Sequence, residues 1–444
     1  MSRFDLTYKG SARIYIRHLH SDLRRRYTIP MEKLTTRCCV AGGGPAGMML
    51  AFLLARAGVD VLVLEKHADF LRDFRGDTIH PSTLEVMHEL GILDDFLKLP
   101  HQEARVFGAQ FGDTAITFAD FTRLPTHCQF IAFMPQWDFL NFIASRAVRY
   151  PTFKLRMNAD VTDLIEESGH IIGVRATTPD GPLEVRSNLV VGADGRHSVV
   201  REKAGLKIEE FGAPMDVLWF RLPRRSGDPE ETIGRIDPGH IFIMINRGSE
   251  WQLGFVIPKG SHEQVRERGM AVFRETVGKL APFLGERVGE LRDWDDIKLL
   301  TVQVDRLQQW HRSGLLCIGD AAHAMSPVGG IGINLAIQDA IAAANILAAP
   351  LREGRVADDH LRQVQARRDF PTRMTQRFQL LIQNRVIKRT LERRPLDNGA
   401  GPPPLLFRLV GRFPAIRRLN ARLVGMGFRP EHVKSPNAFP ASNA

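Results

Sequence analysis

The stretch TRCCVAGGGPAGMMLAFLLARAGVDVLVLE, from Thr36 to Glu65, decides the fold. Thr36 to Ala41 is a short β-rich run that ends at three glycines. Met48 to Ala57 is apolar and helical, and Val59 to Glu65 is a second, nearly continuous apolar strand. Strand, glycine turn, helix and strand open a βαβ unit with a buried parallel sheet. The turn, Gly42-Gly43-Gly44-Pro45-Ala46-Gly47, matches GxGxxG. In such a turn Gly42 permits the tight bend, Gly44 lets a pyrophosphate approach the backbone, and Gly47 allows close helix–strand packing. The helix start at Pro45 and Ala46 then turns free N–H groups and a partial positive charge towards the phosphates. Glu65 stands 18 residues after Gly47, where a carboxylate accepts ribose hydroxyls, and Lys66 follows it.

Two further buried strands repeat the theme. Leu189 to Ala193 runs into Asp194-Gly195, and Leu315 to Ile318 runs into Gly319-Asp320. Ligands of open α/β sheets bind at such carboxyl ends. Beyond Asp320 lies Pro327-Val328-Gly329-Gly330-Ile331-Gly332-Ile333-Asn334, leading into a helical segment to Leu347. The positive end of that helix suits a ring that becomes anionic on reduction. Residues 106–132 and 212–258 instead alternate apolar and polar between turns such as Asp237-Pro238-Gly239, which reads as an antiparallel sheet.

Composition narrows the class. With 44% hydrophobic and 25% charged residues, the 444-residue chain is an ordinary folded protein. No uninterrupted apolar run reaches the ~18 residues of a membrane span. Cys38, Cys39, Cys128 and Cys317 are too few for a disulfide scaffold, so a reducing cytoplasm is the expected compartment. The adjacent Cys38 and Cys39 read as small core residues, and no CxxC exists for disulfide exchange. No metal-ligand set is assigned. The net charge of +10 sits at the ends: residues 1–30 carry +5, residues 384–430 carry +9, and residues 31–383 carry −4. A nucleic-acid binder would place its basic stripe on the folded body, so nucleic acid is excluded as a partner.

The three separated motifs together resemble the FAD-dependent aromatic hydroxylases similar to p-hydroxybenzoate hydroxylase, over roughly residues 35–350. The resemblance implies a Rossmann-like α/β FAD-binding domain interrupted by a β-rich antiparallel-sheet substrate domain, with C-terminal helices. The expected division is 1–34 as an extension, read as disordered; 35–105, 134–211 and 306–350 for FAD; 106–133 and 212–305 for substrate; and 351–444 as a basic helical region. An early-called start, with Met31 as the true one, is the bland reading of the extension. The resemblance also implies that Glu65 holds the adenosine ribose, Asp320 the ribityl chain, and the backbone of Gly329 to Gly332 the flavin pyrimidine edge. Arg75 matches a pyrophosphate-contacting arginine, Gln136 a helix start at the cofactor, and Val161 a backbone contact to adenine. Asp194-Gly195 is associated with FAD and transient NAD(P)H. Ile331 departs from a frequent glutamine, at a contact made through the backbone.

The implied reaction uses NAD(P)H and O2 to hydroxylate a small phenol- or quinol-like aromatic through a flavin hydroperoxide. All four tyrosines are Tyr8, Tyr15, Tyr27 and Tyr150, so the β-rich domain holds no tyrosine pair to deprotonate a phenol. His240 and Arg221, each on a strand of that domain, are the candidates for base and anion binder. Two alternatives stay open: a flavin-dependent reductase or dehydrogenase of an apolar isoprenoid, and a non-catalytic module that FAD stabilises. Halogenation is disfavoured, because the WxWxIP motif and catalytic lysine of related halogenases are missing. In the C-terminal region, Leu405, Leu406, Leu409, Val410 and Phe413, then Ile416, Leu419 and Leu423, form an apolar stripe beside Arg408, Arg412, Arg417, Arg418 and Arg422. That pattern fits docking on the protein's own body, the favoured reading, or peripheral contact with an anionic membrane. The oligomeric state is left undetermined.

Overall fold

The computed structural model describes residues 31–71, 78–112, 114–393 and 405–439. Residues 1–30 of the expected extension and the Arg75 contact lie outside these residues, whereas residues 32–34, expected in the extension, already belong to the first strand.

The first βαβ unit forms as its pattern requires. Strand Glu32–Ala41 leads through the glycine turn into α1 (Pro45–Arg56), and Val61–Leu64 returns parallel beside it. Ten of the twelve α1 residues are buried, so this helix is packed on nearly all sides. Burying each large side chain, such as Met48 or Leu53, contributes roughly 1.5–3 kcal/mol. The parallel core of an eight-stranded sheet runs Leu315–Cys317, Gly181–Gly192, Glu32–Ala41, Val61–Leu64, Phe153–Arg156. Asp160–Glu167 and His170–Thr178 extend it in antiparallel fashion. Cys38, Cys39 and Cys317 are fully buried in this core, and burial pushes the Cys39 thiol up to about 12.

The alternating segments build a second, seven-stranded sheet from Val106–Phe111, Thr114–Asp120, Met215–Pro223, Ile233–Asp237, His240–Asn246, Glu250–Pro258 and Lys298–Leu300. One pair departs from the antiparallel expectation: Ile233–Asp237 lies parallel to Val106–Phe111, with Gly234 opposite Ala109. The reason is topological, since the early hairpin joins the later meander by a crossover and not by a turn. One face of this sheet packs on α5 (Met270–Leu280) and the 3-10 turns after it. A three-stranded sheet links the two units through Thr78–Ile79, Ile131–Phe133 and Gln102–Ala104.

Among the other helices are α2 (Pro81–Glu89), α3 (Gln136–Ala147), α4 (Val199–Lys203), α6 (Gly332–Glu353), α7 (Asp358–Ile382), α8 (Leu405–Arg412) and α9 (Pro414–Gly425). Helix α6 is long and apolar enough to cross a membrane, yet it is mostly buried within the fold. Helices α8 and α9 dock on Thr114–Asp120. Ala421 and Gly425 are buried there, and Val424 and Met426 pack against Phe121 and Leu124. Only part of the apolar stripe is used: Val410 is buried, whereas Leu409, Phe413 and Leu419 stay exposed.

Candidate active site

The parallel sheet brings the sequence motifs to one edge. Gly42 N–H donates to Leu64 O, Ala193 N–H to Ala41 O, and Ile318 N–H to Gly192 O, so three strand ends and their turns lie side by side. Gly42 has a φ of +105°, and a Cβ there would stand 2.4 Å from Ala193 O. Gly47 would meet Gly42 O at 2.0 Å. Gly44 differs from both, because a Cβ on it finds no atom within 4 Å. The free space lies at the α1 N-terminus, whose first N–H groups have no intrahelical acceptor. The residues therefore fit a dinucleotide pyrophosphate. Glu65 is buried and holds the turn, accepting from Gly43 N–H at 2.8 Å and from the His67 ring at 2.5 Å. A carboxylate has about four acceptor positions, which leaves capacity for a ribose hydroxyl.

Asp194 folds back on its own turn, where its Oδ2 accepts from Val200 N–H at 3.1 Å. Its Oδ1 is buried without a partner, and burial raises its pKa. Arg201 of the same motif reaches Ala321 O at 3.2 Å, and Arg196 lies 3.7 Å from Asp320. The second and third motifs are thus one cluster, with Asp320 partly exposed and the Gly319 backbone packed against Ala46 of α1.

The glycine run closes the site. Gly330 has a φ of +62° and sits so close to Thr78 that a Cβ would meet Thr78 Oγ1 at 2.3 Å. Thr78 Oγ1 donates to Gly330 O at 2.9 Å, and Asn334 Nδ2 donates to Thr78 O at 2.9 Å. From behind, α7 and the turn that continues it supply buried glutamines: Gln379 Nε2 donates to Ser326 O and Val328 O, each at 3.0 Å, and Gln383 Nε2 to Ser326 Oγ at 2.8 Å. Gln383 opens a π-helical turn, Gln383–Ile387, a geometry frequent beside functional sites.

Val328 packs against the second face of the seven-stranded sheet, with Met215, Val217, Trp219, Ile241, Ile245, Phe133 and Ile387. Val328 is the residue of the glycine turn that meets this buried wall, beside Ile382, Ile387 and Leu391. His240 does not belong to it. Ile241, Ile243 and Ile245 point to the wall, so alternation sends His240, Phe242 and Met244 to the opposite face, where the His240 ring meets Phe255 at 6.0 Å. The assignment of His240 as base is corrected on that ground. Arg221 shares the wall's face and is ion-paired with Glu250 at 3.3 Å. Gln136 begins α3, and Lys66 is exposed beside Glu65. Val161 is buried two residues after Ala159, whose N–H donates to Glu65 O, which puts it near the ribose end. Pro327 and Ile331 flank the glycine turn. Sequence reasoning missed Thr78 and His80. Their signal was position, two and four residues after Gly76 and just before a proline-started helix.

With this geometry in place, comparison with known proteins identifies the class. Residues 35–378 match the family model described as FAD binding domain. The chain belongs to this family of FAD-dependent aromatic monooxygenases. It is 33% identical over 401 residues to 6-methylpretetramide 4-monooxygenase of Streptomyces rimosus, covering 89% of this chain and 93% of that protein. It is 29% identical over 315 residues to 12-dehydrotetracycline 5-monooxygenase/anhydrotetracycline 6-monooxygenase of S. rimosus subsp. rimosus, covering 68% of this chain and 60% of that longer protein. The fold matches the crystal structure of PqsL, a probable FAD-dependent monooxygenase from Pseudomonas aeruginosa, with a TM-score of 0.68 at 22% identity, covering 80% of this chain and 97% of that one. The protein is thus an FAD-dependent oxidoreductase of the monooxygenase type.

Proposed function

We propose that the protein hydroxylates an extended, largely apolar phenolic ring system, with NAD(P)H as electron donor. The observation that carries this reading is the apolar wall of Met215, Val217, Trp219, Ile241 and Ile245, which Val328 of the glycine turn meets. A broad apolar surface with polar groups at one end suits a large flat ring better than a small, charged benzoate. Relatives named for 6-methylpretetramide and anhydrotetracycline support the same size class. When bound, FAD supplies hydride acceptance and oxygen activation. The protein's own groups do the holding. Gly44 and the α1 N-terminus receive the pyrophosphate, Glu65 the ribose, Asp320 the ribityl hydroxyls, and Gly329 to Gly332 with Asn334 the ring edge. Arg75, Gln136, Val161 and Asp194-Gly195 complete the proposed FAD contacts. Arg221 takes the anionic end of the substrate. We assign 35–105, 134–211 and 306–350 to the FAD unit and 106–133 and 212–305 to the substrate unit, a reading supported by the membership of the two large sheets. The C-terminal helices serve as a docked brace, with vesicle binding as the contrary outcome tested below.

The test is a panel of phenols in stopped flow with NADH and NADPH. Polycyclic phenols should accelerate flavin reduction and consume one O2 per product. Acceleration by hydroxybenzoates alone refutes the substrate class. Substrate reduction without oxygen uptake supports the reductase reading instead.

A further inference from the structure

His80 precedes α2 and is fully buried. Its backbone and its ring serve different parts of the molecule. The backbone N–H donates to Asn334 Oδ1 at 2.8 Å, and Thr83 Oγ1 donates to the same oxygen at 2.8 Å. Asn334 is the residue that holds Thr78 and, at 3.3 Å, Gly330 O. The ring turns the other way, placing Nδ1 2.8 Å from Val424 O, across 344 residues of chain. A carbonyl only accepts, so Nδ1 carries the proton. Val424 lies in the last turn of α9, where carbonyls lack intrahelical donors. Met426 and Gly427 turn their N–H groups back to Arg422 and Leu423, which leaves the Val424 carbonyl to His80. The imidazole is therefore a cap on α9.

The other nitrogen, Nε2, is buried with no hydrogen-bond partner, and the Gly329 backbone is the second main-chain group close to the ring. Burial pushes the imidazole down to about 4, so the ring is neutral near pH 7 and has one proton for one carbonyl. The last turn of α9 is itself fixed. A Cβ on Gly425 would stand 3.1 Å from Leu124 Cδ1 and 3.3 Å from the Phe121 ring, which gives the helix no room to settle closer. Phe121 and Leu124 follow directly on the Thr114–Asp120 strand of the seven-stranded sheet. A rigid line of contacts thus runs from that sheet, through α9 and His80, to the glycine loop.

We propose that His80 is a positioning residue for the flavin: it ties the last turn of α9 to the loop at Gly329 and Gly330, so that the docked C-terminal helices set how the ring edge is held. It rests on family membership and not on the substrate class proposed above.

Two substitutions separate the ring nitrogens. In His80→Asn the side-chain amide takes the place of Nδ1 and keeps a donor for Val424 O. In His80→Gln the amide takes the place of Nε2, and the Val424 carbonyl loses its donor. FAD alone is the probe, titrated into apoprotein by fluorescence quenching, with the visible spectrum of the holoprotein as second readout. His80→Gln should raise the FAD Kd about tenfold, the loss of one buried hydrogen bond, and shift the visible band. His80→Asn should stay within about threefold of wild type. Gly425→Val, which pushes α9 off Phe121, should reproduce the glutamine phenotype and add nothing to it in the double variant. The proposal is overturned by a wild-type Kd and spectrum for His80→Gln, by an asparagine variant as impaired as the glutamine one, or by full additivity with Gly425→Val. A lower thermal midpoint of the apoprotein with unchanged FAD binding also overturns it. If His80→Gln is insoluble, Gly425→Val alone decides, and an unchanged Kd refutes the coupling.

Discussion

Replacing Asp339 by asparagine keeps the side chain's shape and removes one buried charge. Asp339 lies in the middle of α6 with no exposed surface. It accepts from Gly319 N–H at 3.1 Å, His323 Nε2 at 2.5 Å and Arg368 Nε at 2.9 Å. Burial by itself raises its pKa, but the charges and hydrogen bonds of His323 and Arg368 outweigh burial and hold the carboxyl below its usual range. Breaking a buried pair from one side costs ~3–5 kcal/mol, because the remaining charge stays buried. Arg368 keeps Glu431 at 3.3 Å, so the lower end applies and we expect a loss of about 3 kcal/mol. Urea unfolding of the apoprotein measures it by linear extrapolation. Because Asp339 also orients the Gly319 turn ahead of Asp320, FAD affinity should fall with stability. Lys279→Ala, which opens an exposed i,i+4 pair with Glu275, serves as the control that should change nothing measurable. A loss under about 1 kcal/mol for Asp339→Asn would refute the reading that this network is a charge-balanced keystone.

Gly44→Val should leave the apoprotein's thermal midpoint unchanged, since its Cβ meets nothing, and abolish FAD retention; loss of folding instead would show that the space is not a ligand's. Asp320→Ala should raise the FAD Kd about tenfold, as expected for charge-assisted bonds worth ~1.5–3 kcal/mol, and unchanged affinity would remove Asp320 from the site. Asp228, hydrogen-bonded to Arg287 and Trp251, is held well below the usual carboxylate range chiefly by the Arg287 guanidinium. Its stabilisation is therefore complete above about pH 4 and lost as pH falls through the acid range below it, so Asp228→Asn should flatten the stability profile there. Sedimentation with anionic vesicles at low salt should leave the protein in the supernatant, because α8 and α9 already bury one face on Thr114–Asp120; salt-sensitive pelleting would favour the membrane contact.

The strand ends and turns of the candidate FAD edge were legible because their information is local. A strand, three glycines and an apolar helix dictate their own geometry within thirty residues, and Asp194 and Asp320 each end a strand that only a parallel sheet can bury. The His240 assignment failed for an equally physical reason. The run His240-Ile241-Phe242-Ile243-Met244-Ile245 is apolar on both faces, since helix α5 covers one and Val328 with Ile382, Ile387 and Leu391 the other. Period-two alternation, the signal that tells the faces apart, is erased in a strand buried on both sides. The contacts of His80 with Val424 and of Arg368 with Asp339 and Glu431 were invisible for a third reason: no local rule pairs residues so far apart.

The segment from Arg429 to Ala438 strings these distant contacts together. It gives Glu431 to Arg368, shares Asn345 with Lys434 and Ser435, and ends with Ala438 N–H on Arg56 O, at the last residue of the fingerprint helix. Arg56 Nη1 reaches Pro436 O across 380 residues. A nascent chain that has made its dinucleotide turn therefore waits for most of the remaining polypeptide before that helix is clasped. Closing so large a loop costs little more free energy than closing a moderate one, but it comes late in folding. A nonsense or frameshift lesion anywhere before residue 429 therefore leaves the fingerprint helix without its clasp.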